Sequence, residues 1–206
     1  CFNNDVYVTK SFHEFAFALQ TDEQGNFYFS KGGPVRPGGR GFDKITPHHG
    51  TILRVSKDGT QIERMCTGLR APNGIGVGPD GVMTSGDNEG TWMPACRLNW
   101  IKPGTFCGCV GTSHKTPAPT SYDEPLCWLP MSVDNSGGGQ VWVTSDRWGP
   151  FKGELLHLSY GQCQLYRVLR QEVDGVMQGG VVRIPLDFAS SCMRGRFNER
   201  DGQLYV

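Results

Sequence analysis

His13, Arg70 and Arg194 are the side chains whose chemistry first asks for an explanation. Each stands 8 to 12 residues ahead of a turn glycine: Gly25 in DEQGNFYF, Gly81 in GPDGVMT and Gly202 in NERDGQLYV. If each glycine closes a hairpin, the three side chains occupy equivalent places at the mouths of the first strands and share one pocket. Two guanidiniums repel unless an anion lies between them, and a guanidinium grips a carboxylate in planar, bidentate fashion. A near-neutral imidazole beside them is a suitable general base. The pattern therefore asks for an anionic, carboxylate-bearing ligand. Met131 and Ser132 hold the equivalent place before a further glycine, Gly139 of NSGGGQVWVT.

The elements that must position these residues follow from the repeat. The four turn glycines lie 56, 58 and 63 residues apart, each between short apolar segments: FAFAL and NFYF, GIGVG and VMT, WLPMSV and QVWVT, MRGRF and QLYV. Strand, glycine turn, strand is hairpin grammar. GTILRVSKDGT, GELLHLSYGQCQLYRVL and GGVVRIPL supply further strands between the hairpins, and helical periodicity is nearly absent. The expected class is all-β, a β-propeller of roughly four-stranded blades. A β-sandwich is the alternative, disfavoured by the wide period and by the long loop 31–50. Three to four blades cannot close a ring without open edges. The chain begins at Cys1 and stops inside a strand-like segment, so residues 1–206 read as a partial propeller domain, truncated at both ends.

Composition narrows the partners. Twenty basic and twenty acidic residues cancel, which leaves no basic field for nucleic acid or anionic lipid. No apolar run is long enough to span a membrane. Eight cysteines show no C-x-x-C spacing; scattered core thiols are the simplest reading, with one or two disulfides left open. His48 and His49 are adjacent in a loop rich in glycine and proline, a poor geometry for one metal ion. DNSGGGQ lacks the lysine and helix start of a phosphate loop and reads as a turn.

HEFAFALQTDEQGNFYFSKG, GTILRVSKDGT, TGLRAPNGIGVGPDG, LNWIKPGTFCG and FKGELLHLSYGQCQLYRV resemble, in this order, the quinoprotein glucose/sorbosone and aldose sugar dehydrogenases. The chain is similar above all to dehydrogenase-like propellers of large secreted, haem-associated bacterial proteins. The resemblance implies a periplasmic or secreted protein that oxidises a sugar or alcohol, with hydride passing to pyrroloquinoline quinone (PQQ) and electrons onward to a haem domain or cytochrome. It makes His13 the general base, Arg70 the quinone contact and Arg194 the partner of a cofactor carboxylate, with Arg147 of TSDRWGP standing for a cofactor-binding lysine. Two departures stand out. The asparagine usual after the cofactor arginine is Ala71, and the carboxylates that hold calcium before L-N are replaced by PACR, which leaves Asp87 and Glu89 as substitute ligands. A non-catalytic propeller that binds carbohydrate or protein is the alternative function, and Trp92, Trp100, Trp142 and Trp148 would serve either as sugar-stacking surfaces or as packing between blades.

Overall fold

The computed structural model describes residues 1–206, the side chain of residue 80 excepted. Four sheets follow one another along the chain. The first has β1 (Ala16–Thr21), β2 (Phe27–Lys31), β3 (Thr51–Val55) and β4 (Ile62–Thr67) in meander order. β5 (Ile75–Val77), β6 (Met83–Asp87), β7 (Cys96–Ile101) and β9 (Cys127–Leu129) form the second sheet, while β8 (Thr105–Phe106) crosses back to pair in parallel with β4. The third sheet is β10 (Gly137–Trp142), β11 (Leu155–Ser159), β12 (Gln164–Val173) and β13 (Val176–Arg183), and the fourth is the pair β14 (Arg196–Phe197) and β15 (Leu204–Tyr205). Apart from the β4–β8 pair, all strand pairs are antiparallel. The first strands gather together: β5 packs against both β1 and β10. This is the blade sequence of a propeller.

The core lies between blades. Ile52, Leu69, Ile75 and Met83 fill the space between the first and second sheets. Leu98, Leu129, Trp142, Leu155 and Val168 fill the next, and Leu156, Leu158, Leu165 and Phe197 the last. Each such side chain, fully buried, contributes about 1.5–3 kcal/mol.

Gly25, Gly81 and Gly202 have positive φ, as their hairpin turns require. The third expected hairpin does not form. β9 pairs with β7 rather than β10, Gly139 lies inside β10, and the β10–β11 connection is the 3₁₀ segment Asp146–Phe151. The triple glycine reads as a turn in sequence, but its physical reason is close approach. A Cβ at Gly138 would lie 2.7 Å from the Leu158 carbonyl oxygen and 2.9 Å from that of Met193. The mouth of the third blade is therefore Asn135–Ser136, and the expected Met131 is an exposed turn residue.

The alternating glycines of GIGVG have the same cause. A Cβ at Gly74 would stand 2.2 Å from the Gly138 carbonyl oxygen, and one at Gly78 2.2 Å from the Trp142 ring. β5 is free of bulk on that side because β10 lies against it.

Candidate functional site

First strands lead away from one face of the sheets and second strands return to it. That face collects the residues before β1, β5, β10 and β14 and those after β2, β6 and β11. A cleft of about 320 Å³ opens there, lined by His13, Phe15, Phe17, Gly32, Ala71, Pro72, Asn73, Asn88, Ser136, Tyr160 and Met193. All four blades contribute.

His13 stands just ahead of β1, its ring 5.9 Å from that of Phe12 and 5.1 Å from that of Phe15. Its Nδ1 is buried with no protein partner. Burial, and then the positive charge of Arg70, hold its pKa below 6.5, so the imidazole is neutral at pH 7 and able to accept a proton. The next residue anchors it. Glu14 turns inward, with Oε1 2.5 Å from Lys31 Nζ and Oε2 3.1 Å from His49 Nε2, and both oxygens accept from the Thr9 N–H. Burial pushes this carboxyl up, but the hydrogen bonds from Lys31, Thr9 and His49 outweigh it and hold the pKa at about 2. His49 Nδ1 accepts the Thr46 N–H at 2.9 Å, which leaves its proton on Nε2, toward Glu14. His48 accepts from the Tyr7 N–H instead, so the adjacent histidines face different partners.

Arg194 lies behind the cleft wall. Its Nη2 donates to the Asn73 carbonyl at 2.5 Å and to Asn73 Oδ1 at 3.2 Å, while its guanidinium carbon sits 5.4 Å from the centre of the Phe17 ring. Asn73 and Phe17 are cleft residues, so the charge stands one layer from the space. Arg70 is close enough to lower the pKa of His13, but its guanidinium turns into a neighbouring open cleft between residues 38–40 and 89–94. There its Nη2 donates to the Gly39 carbonyl at 2.7 Å, and its buried Nε has no partner. Gly90 makes room for it, since a Cβ there would come within 2.3 Å of the guanidinium carbon.

Asp87 does not offer its oxygens to an ion. Oδ2 accepts the Arg70 N–H at 2.7 Å, and Oδ1 accepts the N–H groups of Ala71 and Asn88 at 2.7 and 3.0 Å. Burial raises its pKa to about 6 against those bonds. Glu89 accepts from the Cys96 thiol at 2.5 Å, and it borders the Arg70 cleft. Among the described residues no three His, Cys, Asp or Glu side chains are grouped to hold a metal, and the oxygens of Asp87 are already taken by backbone N–H groups. Arg147 follows β10 and so lies at the opposite end of the strands from His13. It is exposed and donates to the Asp201 carbonyl at 2.7 Å, beside the Gly202 turn. A residue after a first strand cannot reach the face where first strands begin.

Sequence reasoning missed the rest of the cleft. Asn88 and Tyr160 follow second strands, and the same register rule that points to His13 would have found them had strand exits been read with strand mouths. Asn88 Oδ1 also accepts the Gly137 N–H at 3.1 Å, which joins the second and third blades at the rim. Asn73, two places beyond the departure at Ala71, brings an amide to the cleft. The Lys31–Glu14–His49 cluster left no sequence signal, because its members come from three separate segments.

No protein-family model matches the chain, and no curated protein does. Solved structures do match. A glucose dehydrogenase-type putative oxidoreductase from Thermus thermophilus superposes with a TM-score of 0.65 at 18% identity, over 90% of this chain and 57% of that one. The soluble aldose sugar dehydrogenase of Escherichia coli, in its apo form, gives 0.63 at 16% identity, over 91% and 59%. The PQQ-bound aldose sugar dehydrogenase of Streptomyces coelicolor gives 0.61 at 13%, over 86% and 51%. The chain thus spans less than two thirds of the propellers it matches. Blade order, inter-blade cores and these superpositions agree: the chain has the β-propeller fold of the quinoprotein sugar dehydrogenases.

Proposed function

We propose that the chain is part of a PQQ-dependent oxidoreductase that oxidises the hydroxyl of a sugar or alcohol. The observation that carries this reading is the neutral imidazole of His13 at a cleft of about 320 Å³, with the charges of Arg194 and Arg70 close by. The cleft has an aromatic wall, Phe15 and Phe17 stacked 5.1 Å apart, suited to a flat ring system. A buried polar atom without a partner, His13 Nδ1, belongs to this cleft; Arg70 Nε, also unpartnered, belongs to the neighbouring one. The quinone, when bound, supplies the hydride acceptor. His13 takes the hydroxyl proton, Asn73 and Asn88 orient the sugar or the cofactor by their amides, and the two guanidiniums favour negative charge in the cleft. An electron-accepting haem domain or cytochrome and a periplasmic or secreted location complete this reading; calcium at Asp87 and Glu89 does not belong to it.

The test uses the full-length protein, PQQ and an aldose series with an artificial electron acceptor. Acceptor reduction is expected, and His13→Ala should lower kcat by ~10²–10⁴ while PQQ still binds, since a lost general base removes stabilisation present mainly in the transition state. Calorimetry that finds no PQQ binding, with and without Ca²⁺, overturns the reading. A second reading, a non-catalytic propeller that binds carbohydrate or protein, is favoured by the way Asp87 and the Arg70 guanidinium spend bonding capacity on the protein's own backbone.

A further inference from the structure

We propose that Cys163 and Cys192 are a disulfide pair, closed when the protein folds in an oxidising compartment, which ties the β11–β12 turn to the segment leading into β14. Both are free thiols in the structure, but their surroundings interlock. The Cys163 sulfur lies 3.9 Å from Ser191 Oγ, beside Cys192, and the Cys192 sulfur lies 3.2 Å from the carbonyl oxygen of Gln164, beside Cys163. They also face successive carbonyls, Cys163 that of Tyr160 at 4.0 Å and Cys192 that of Ser159 at 3.3 Å. These four contacts set both sulfurs against the β11–β12 turn and each beside the other's chain neighbour. Burial, and among lesser causes the closeness of Cys163, raise the Cys192 thiol.

Their exposures suit a stepwise closure. Cys163 is half-buried and reachable, whereas Cys192 is buried behind it. A low-molecular-weight disulfide is the oxidant. The Cys163 thiolate attacks one of its sulfurs and expels the other as a thiolate; Cys192, deprotonated, then attacks the mixed disulfide at Cys163 and expels the second. The protein loses two electrons and two protons, and the oxidant leaves as two thiols. Cys66 and Cys107, whose thiols are in direct contact, are the other close pair, but both are wholly buried, out of reach of a dissolved disulfide.

The bond would act on the cleft, because Tyr160 and Met193 line it and each adjoins one end of the pair. It closes a loop that holds β12 and β13 and fixes the third blade to the fourth. The pairing does not depend on the dehydrogenase reading.

Peptide mapping tests it. The full-length protein, refolded with a glutathione redox couple and alkylated under denaturing conditions, is digested with trypsin. Cys163 and Cys192 fall in peptides 153–167 and 184–194, each with a single cysteine. The expected product is these two peptides joined, two hydrogens lighter than their sum. Cys192→Ser should abolish the link, and reduction should lower the Tm of the wild type by several degrees but leave that of Cys163→Ser unchanged. Recovery of both cysteines alkylated, or of Cys163 joined to another cysteine, overturns the proposal, and the wild-type map decides this even if a variant fails to fold.

Discussion

Glu14 shows how a single residue beside the cleft is held by burial and charge together. Its side chain is 3% exposed, opposite the 2% exposed Lys31 ammonium and the fully buried His49. Removing one partner from a buried ion pair leaves an uncompensated charge, at a cost of about 3–5 kcal/mol. Glu14→Gln should therefore lower unfolding free energy by about that much in urea titrations. The pH dependence has a definite sign. The carboxyl pKa falls from 4.5 in the unfolded chain to about 2 in the fold, so its stabilisation is complete above pH 4.5 and is lost as pH falls toward 2. Between those values the wild type should lose stability more steeply than Glu14→Gln, and parallel slopes in acid-titrated melts would refute the assignment. At this scale His13 was legible because its distance to a turn glycine is a local quantity. Its anchor was not, since Lys31 and His49 reach Glu14 only when three segments meet.

At the scale of the element, β5 and β10 are shaped by one another. Gly74, Gly76 and Gly78 alternate along β5 because the backbone and side chains of β10 occupy the space their Cβ atoms would take. Gly74→Ala has no flexible neighbour to displace: the nearest atoms are the Gly138 carbonyl oxygen at 2.2 Å and Gly139 Cα at 2.4 Å. Overpacking of this kind costs about 1–3 kcal/mol, and a corresponding fall in the urea midpoint with an unchanged m-value is expected. Gly104→Ala, with nothing within 4 Å but a φ of +90°, is the contrasting case and should cost only the backbone strain. The same pair explains the misread hairpin. A turn glycine and a close-approach glycine are identical in sequence, and in NSGGGQ the second role holds. The shift of the third mouth from Met131 to Ser136 follows from that error alone.

For the whole molecule, the inter-blade cores mean that a sheet without a neighbour leaves a face uncovered. Phe12 and Leu19, beside and within β1, are exposed, and so are Tyr205 and Val206 at the fourth sheet. The 206-residue chain by itself should self-associate and unfold over a broad range; a monodisperse monomer with a sharp two-state melt would contradict this. The all-β class, the repeat of about sixty residues and the blade order were determined by the sequence itself, because hydrophobic alternation and turn glycines act over a few neighbouring residues. So was the face to which His13, Arg70 and Arg194 belong, since a strand mouth is defined by chain direction. Only the tertiary structure decided where their charged ends point. Arg194 backs the cleft through Asn73, Arg70 turns aside to Gly39, Arg147 falls at the far end of the strands, and Asp87 spends its oxygens on backbone N–H groups. The reason is physical: a buried guanidinium or carboxylate must satisfy its hydrogen bonds, and the groups that do so come from chain segments brought together only by folding.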